Sequence, residues 1–196
     1  MNELSLLPLR NAISRFVKMD DAEWAMLMPY ISERQFEKHE LFAKEGKTAY
    51  DVGFLLEGNM RHFYIKDGIE KTTYFYFEGH FVSAYFSCIT GKPSDLSIEA
   101  MSSCSLLVFR YSDMQKLFDQ SHKWERFGRL LAEYLAIGLE ERIKGLLMLS
   151  PEERYIQLLE GNKQKIMERI PQHFISNYLG ITPVSMSRIR SRLSKK

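Results

Sequence analysis

Cysteine is nearly missing from this 196-residue chain, which holds only Cys88 and Cys104. Two thiols cannot build a four-thiolate cluster or a closed zinc site, and in a reducing compartment they act as small buried hydrophobes. Histidine is sparse as well. His39, His62, His80, His122 and His173 show no two-residue or helical i, i+4 pairing, so no metal site and no metal cofactor are expected. Long apolar runs are absent too, since no stretch approaches the ~20 residues of a membrane span. Met1-Asn2-Glu3-Leu4 does not open a charged and then apolar leader, and the chain is expected in the cytoplasm.

The last deficit is local. Residues 161 to 196 hold eight Lys/Arg against one acid, Glu168, whereas the preceding 160 residues hold nineteen against twenty-four. From Ile170 onward there is no acidic side chain at all, so the net charge of +2 conceals a strongly basic C-terminal end whose field suits a polyanion. What the chain has in quantity is core material. Its 45% apolar and 13% aromatic residues suffice for one large domain and a small one.

The first ~30 residues read as two short helices, one carrying Leu4, Leu7, Leu9, Ile13 and Phe16, the next capped by Asp20 or Asp21 and carrying Trp24, Leu27 and Met28. From about Glu33 the character changes. The runs that begin at Val52, Met60, Lys71, Ser97 and Ser105 are rich in β-branched and aromatic residues and are separated by turns at Gly58, Gly68, Gly79 and Gly91. This predicts a β-barrel or jelly roll of about 80 residues.

Past Ser112 the pattern turns helical, with one proline-free helix predicted over residues 123–149. Its apolar surface is too wide for one partner. We expect one side to pack on the β domain and another, with Phe127, Leu131, Tyr134, Leu135 and Gly138, to pair with the same helix of a second subunit. Ser150-Pro151-Glu152-Glu153 then starts a new helix with a cap, a proline and acids in the first turn.

Residues 171–194 predict a helix-turn-helix. A helix opening at Pro171-Gln172 turns Phe174, Ile175, Tyr178 and Leu179 inward; Gly180 takes a positive φ, and Thr182-Pro183 restarts a helix. In that second helix Met186, Ile189 and Leu193 share the inner face, which leaves Val184, Ser185, Ser187, Arg188, Arg190, Ser191 and Arg192 outward. Arginine pairs bidentately with guanine and serine lets the backbone approach. The DNA-contacting set is therefore Gln172, Thr182, Val184, Ser185, Ser187, Arg188, Arg190, Arg192 and Lys195.

A β jelly roll, a long helix and a terminal helix-turn-helix in this order resemble the Crp/Fnr family of bacterial transcription regulators, from about residue 25 onward. Two stretches carry the resemblance: Val52-Gly-Phe-Leu-Leu-Glu-Gly-Asn-Met-Arg-His-Phe-Tyr, similar to the family's strand-Gly-strand signature, and Ile175 to Leu193, similar to its DNA-reading motif. The resemblance implies a base-reading role for Arg188, while Pro183 and Val184 stand where the best-known members carry a basic and an acidic residue. It also implies a palindromic double-stranded DNA site, a homodimer, and RNA polymerase as a partner.

On the sensor side the match is poorer. Cyclic-nucleotide-binding members use a Gly-Glu pair and, about ten residues on, an Arg-Ser/Thr-Ala run. Here Ser83-Ala84 and Pro93-Ser94-Asp95-Leu96-Ser97 occupy those places, and no cysteine cluster precedes Cys88 to hold iron and sulfur. A cyclic nucleotide is not expected to bind in the family's manner. The effector-pocket set is Phe81, Ser83, Ala84, Tyr85, Lys92, Ser94, Asp95 and Ser97, suited to a small neutral or aromatic ligand or to none.

The sequence thus predicts an α+β protein. A cyclic-nucleotide-binding-like roll spans 1–122, a dimerisation helix 123–149, and a winged-helix-like helix-turn-helix domain 150–196. The function it predicts is non-enzymatic, dimeric and DNA-binding. One rival is a signalling module that binds a nucleotide or protein partner without touching DNA; the other is a cupin-type enzyme, for which only His62 and His80 offer metal ligands.

Overall fold

The computed structural model describes residues 3–193, and the side chains of 6–160 and 164–193. Lys195, Lys196 and the Leu4 side chain lie outside the described residues. The chain begins with α1 (Glu3–Ser14) and α2 (Asp21–Leu27), the latter capped by the Asp20 carboxylate, which accepts from the Glu23 N–H. Eight strands follow: β1 (Ser32–Phe36), β2 (Leu41–Ala43), β3 (Asp51–Glu57), β4 (Met60–Lys66), β5 (Ile69–Tyr76), β6 (Phe81–Val82), β7 (Leu96–Ala100) and β8 (Cys104–Arg110). A short helix α3 (Tyr85–Thr90) interrupts them after β6. Then come α4 (Tyr111–Gln120), α5 (His122–Met148), α6 (Pro151–Arg169), α7 (Gln172–Leu179) and α8 (Pro183–Leu193).

The strands form two four-stranded antiparallel sheets, ordered β1-β8-β3-β6 and β2-β7-β4-β5. Side chains alternate across each strand. In β8, Leu106 and Val108 point into the roll while Leu107 and Phe109 point out against the helices, so both faces are buried and the strand reads as an unbroken apolar run. β3 does the same, with Leu55 inside and Phe54 outside. Between β3 and β4, Gly58 has φ +94°, and a Cβ there would sit 2.4 Å from the Ser103 carbonyl oxygen. Only glycine fits that turn.

Three buried clusters result. The first fills the roll, with Met60, Tyr76, Ile98 and Leu106 among its members. The second joins the outer face of β3 and β8 to α1, α2, α4 and the start of α5 through Leu9, Ile13, Phe54, Leu107, Trp124 and Phe127. The third combines Phe75 and Phe77, at the end of β5 and just past it, with Tyr155, Ile166, Ile170, Ile175, Leu179, Met186 and Ile189. That last cluster is shared between roll and C-terminal unit, because Tyr76 points into the roll and its neighbour Phe75 therefore points out of it.

The elements missing from the sequence reading are β1, β2, β6 and α3. β1 is a sheet-edge strand, Ser-Glu-Arg-Gln-Phe, exposed at every position but Phe36, and carries no alternation to read. The predicted helix boundary at Ser150 is present as a full capping box, with the Glu153 N–H donated to Ser150 Oγ and the Ser150 N–H to the Glu153 carboxylate. Among the described residues the C-terminal unit is α6, α7 and α8 alone, with no strand of a wing.

Candidate nucleic-acid interface

α7 ends where Gly180 adopts φ 69° and ψ 31°, its N–H donating to the Asn177 carbonyl while Ile181 N–H reaches Ser176 O. Three residues later α8 begins. Thr182 Oγ1 accepts the Ser185 N–H at 3.2 Å, the cap that the sequence predicts. Met186 and Ile189 are buried, and Leu193 packs beside them. The opposite face presents Val184, Ser187, Arg188 and Arg192 to solvent, with Ser185 and Arg190 half-buried.

These side chains are not equivalent. Arg192 is engaged by Glu152 of the first turn of α6 at 2.6 Å, whereas among the described residues Arg188 and Arg190 meet no carboxylate within ion-pair distance. Gln172 lies exposed at the first position of α7, on the same helical pair. Lys195 falls outside the described residues. Two guanidiniums without a carboxylate partner among the described residues stand here beside small hydroxyls, donors of the kind that suit an anion.

The helical pair does not stand clear of the roll. Asn177 of α7 clamps the β5 edge: its Oδ1 accepts the Thr72 N–H at 2.6 Å and its Nδ2 donates to Glu70 O at 2.7 Å. A side-chain amide here supplies the donor and acceptor that a neighbouring strand would supply. Phe75 and Tyr178 pack with ring centres 5.5 Å apart. The Arg61 guanidinium lies between Phe63 and Phe174, 4.1 and 4.3 Å from the ring centres, and is also held by Glu99 and Glu70. Lys165 and Arg169 of α6 both pair with Glu78. Burial would raise the Glu78 carboxyl, yet the hydrogen bonds from these two cations prevail and hold it below the ordinary range.

None of these docking residues is in the predicted set. The only sequence signal for them is that β5 carries aromatics on both faces, Tyr74-Phe75-Tyr76-Phe77, where a half-exposed strand would alternate with polar residues.

The predicted effector residues scatter. Phe81, Ser83 and Tyr85 line a cavity of about 300 Å³ with Phe109, Met114, Phe118, Leu131 and Leu135, between the roll and α4–α5. Ala84 is buried in the roll's own cluster. Ser94 and Ser97 are buried and used structurally, Ser94 Oγ bonding Leu96 and Ser97 Oγ accepting the Glu45 N–H. Lys92 and Asp95 are exposed on the loop after α3. The structure therefore does not gather these eight residues around one space.

The predicted dimer face is divided in the same way. Phe127 is 2% exposed inside the monomer's second cluster, a correction to its assignment as an interface residue, because a side chain sealed within one subunit has no surface left for another. Leu131 is half-buried against the same cluster. Tyr134, Leu135 and Gly138 are exposed, and the exposed apolar face continues through Ile137, Leu139, Ile143, Leu146, Leu147 and Met148.

Among the described residues no group of three or more His, Cys, Asp or Glu is placed to hold a metal ion, and no helix is long and apolar enough to cross a membrane. Burial raises the Cys88 thiol to about 11 and lowers the His62 imidazole to about 4.

The family model of the cyclic nucleotide-binding domain matches residues 33–121, from β1 to the end of α4. No curated protein matches the chain. Among solved structures, FixK2 from Bradyrhizobium japonicum superposes with a TM-score of 0.70 at 21% identity, covering 84% of this chain and 85% of its own. A protein assigned to the crp/fnr family, from Eubacterium rectale, gives 0.69 at 16%, with 90% and 84% covered. The catabolite activator protein of Thermus thermophilus gives 0.58 at 19%, with 94% and 87% covered. Each superposes over at least 84% of this chain. Residues 33–121 thus match the cyclic nucleotide-binding domain, and the chain shares the fold of these solved structures.

Proposed function

We propose that the chain is a dimeric, non-enzymatic transcription regulator that reads a palindromic DNA site with α8. The observation that carries this reading is the outer face of α8, where Arg188 and Arg190, beside Ser185 and Ser187, meet no carboxylate among the described residues, directly after a tight turn at Gly180. Phosphate binding is served by Thr182 at the start of that helix and by the basic C-terminal end. The exposed apolar stretch of α5 from Tyr134 to Met148 is covered by the same helix of a second subunit, which places two α8 helices on two half-sites about 34 Å apart. RNA polymerase follows as a partner of a promoter-bound dimer.

The mechanism is a shift between a docked and a released head. Asn177 and Tyr178 hold α7 on β5 and Phe174 holds it on Arg61 of β4, so an input that loosens these contacts changes the separation of the two α8 helices. The input is not a cyclic nucleotide bound through a Glu and an Arg, since Ala84 and the exposed loop around Lys92 supply neither ligand.

Selection of bound fragments from random duplexes tests the reading. A two-fold symmetric consensus is expected, with Arg188→Ala costing about 1 to 3 kcal/mol per half-site and relaxing one base position. Failure to enrich any sequence, with Arg188→Ala without effect at low salt, would favour the rival in which the C-terminal helices only mediate association.

A further inference from the structure

Between the roll and the head lies a second cavity of about 300 Å³, the lower end of the range for small-molecule sites. Tyr74, Phe75 and Phe77 of the roll wall it on one side and Tyr178 of α7 on another. Two arginines enter from the helices, Arg142 of α5 and Arg154 of α6.

Neither has a carboxylate within ion-pair distance among the described residues. Arg142 stacks its guanidinium 3.7 Å from the Tyr178 ring centre and gives one N–H to the Tyr178 carbonyl, leaving donors unspent from the five a guanidinium carries. Arg154 donates to Leu149 O and Leu179 O through its terminal nitrogens, while its buried Nε has no acceptor. Two cations converging with no carboxylate within ion-pair distance among the described residues repel each other. Burial and the nearby Arg154 charge both pull the Arg142 pKa down. Helix C-termini account for the bonds that these arginines make, and not for the unspent donors of Arg142.

We propose that this cavity binds a small aromatic monocarboxylate, its carboxylate met by the unspent donors of Arg142 with the charge of Arg154 beside it, and its ring held among Tyr74, Phe75, Phe77 and Tyr178. Charge selects the class. Glu141 lines the same cavity, so the two guanidiniums and one carboxylate leave a single net positive charge, which one carboxylate neutralises and a dianionic phosphate overshoots. The cavity between the roll and α4–α5 is walled largely by apolar side chains and has no comparable convergence of cations. Position gives the site a consequence: the ligand touches β5, α5, α6 and α7 at once, so its occupancy sets how firmly the head is docked, an effect that rests on the regulator reading above.

Calorimetric titration of the full chain with phenylacetate, its neutral amide phenylacetamide and phenyl phosphate is the experiment. Phenylacetate is expected to bind saturably in the micromolar range, at least tenfold tighter than phenylacetamide and no more weakly than phenyl phosphate. Arg142→Gln should weaken phenylacetate about tenfold and leave phenylacetamide unchanged. Glu141 is exposed, so Glu141→Gln leaves the fold intact and should tighten phenylacetate several-fold. Equal affinity for acid and amide, tighter binding of phenyl phosphate, or weaker binding by Glu141→Gln would each overturn the assignment. Because calorimetry needs no DNA, absence of saturable phenylacetate binding removes the site and leaves the regulator reading standing, and absence of DNA binding does the reverse.

Discussion

From His122 to Leu131, α5 sinks Trp124 and Phe127 into a cluster shared with α1, α2, β3 and β8, whereas from Tyr134 to Met148 it leaves eight large apolar side chains in solvent. Both halves mix apolar and charged side chains, and they differ in what lies beside them. The first half has the outer face of the roll. The second faces the roll across a cavity at Gly138, Glu141 and Arg142, so its apolar stripe is a surface in the monomer and, at this size, an unusual one. The same division recurs between roll and head. The roll closes its own core, while the head completes its small cluster with Phe75 and Phe77 of the roll.

Truncation in the closed half gives the largest expected effect. Phe127→Ala should cost about 3 to 5 kcal/mol of unfolding free energy in denaturant titration, since Phe127 packs against Phe16, Phe81 and Trp124. A loss below about 1 kcal/mol would erase the contrast between the halves.

Acid probes the closed region next. Burial lowers His62 from 6.5 to about 4, so the folded state resists the proton that the unfolded chain accepts. Stability is unaffected above pH 6.5 and falls as the pH drops toward 4, by roughly 2 kcal/mol at pH 5. In His62→Gln that slope should flatten between pH 7 and 5, as measured by denaturant midpoints.

The seam is expected to yield less. Asn177→Ala removes two hydrogen bonds from the β5 edge, at about 1 kcal/mol each. Hydrogen exchange should report it at the Thr72 amide and in α7, with the roll interior unchanged. Protection lost evenly over the whole chain would mean that head and roll unfold as one unit.

The smallest effect on the monomer belongs to the open half. Ile143→Glu should leave unfolding of the isolated subunit within about 0.5 kcal/mol, because Ile143 is 57% exposed, yet separate the subunits in sedimentation. It is a cleaner probe than Leu131→Glu, which would also place a charge against the monomer's second cluster. A variant that stays dimeric puts the interface elsewhere.

Local chemistry by itself determined much of this protein. The strands at Val52, Met60, Lys71, Ser97 and Ser105, the caps at Asp20, Ser150 and Thr182, the glycine turns and the division of α8 into buried Met186 and Ile189 against outward Arg188 are all set by residues within a few positions of one another. Their signals therefore survive in a linear reading. What lay outside such a reading depends on contacts far apart in the chain. β1 is a strand only because β8 pairs with it, Phe127 is spent inside the monomer because α1 and α2 cover it, and Arg192 is taken by Glu152, forty positions away. Ser94 of the effector loop is occupied by the backbone of Leu96, and Ser97 of β7 by the Glu45 N–H in the turn after β2. The docking of the head on β5 is the clearest case. Asn177, Glu70 and Thr72 are each unremarkable in sequence, and only the tertiary structure brings the amide to the strand edge, because an unpaired row of N–H and C=O groups takes whatever donor and acceptor the fold sets beside it.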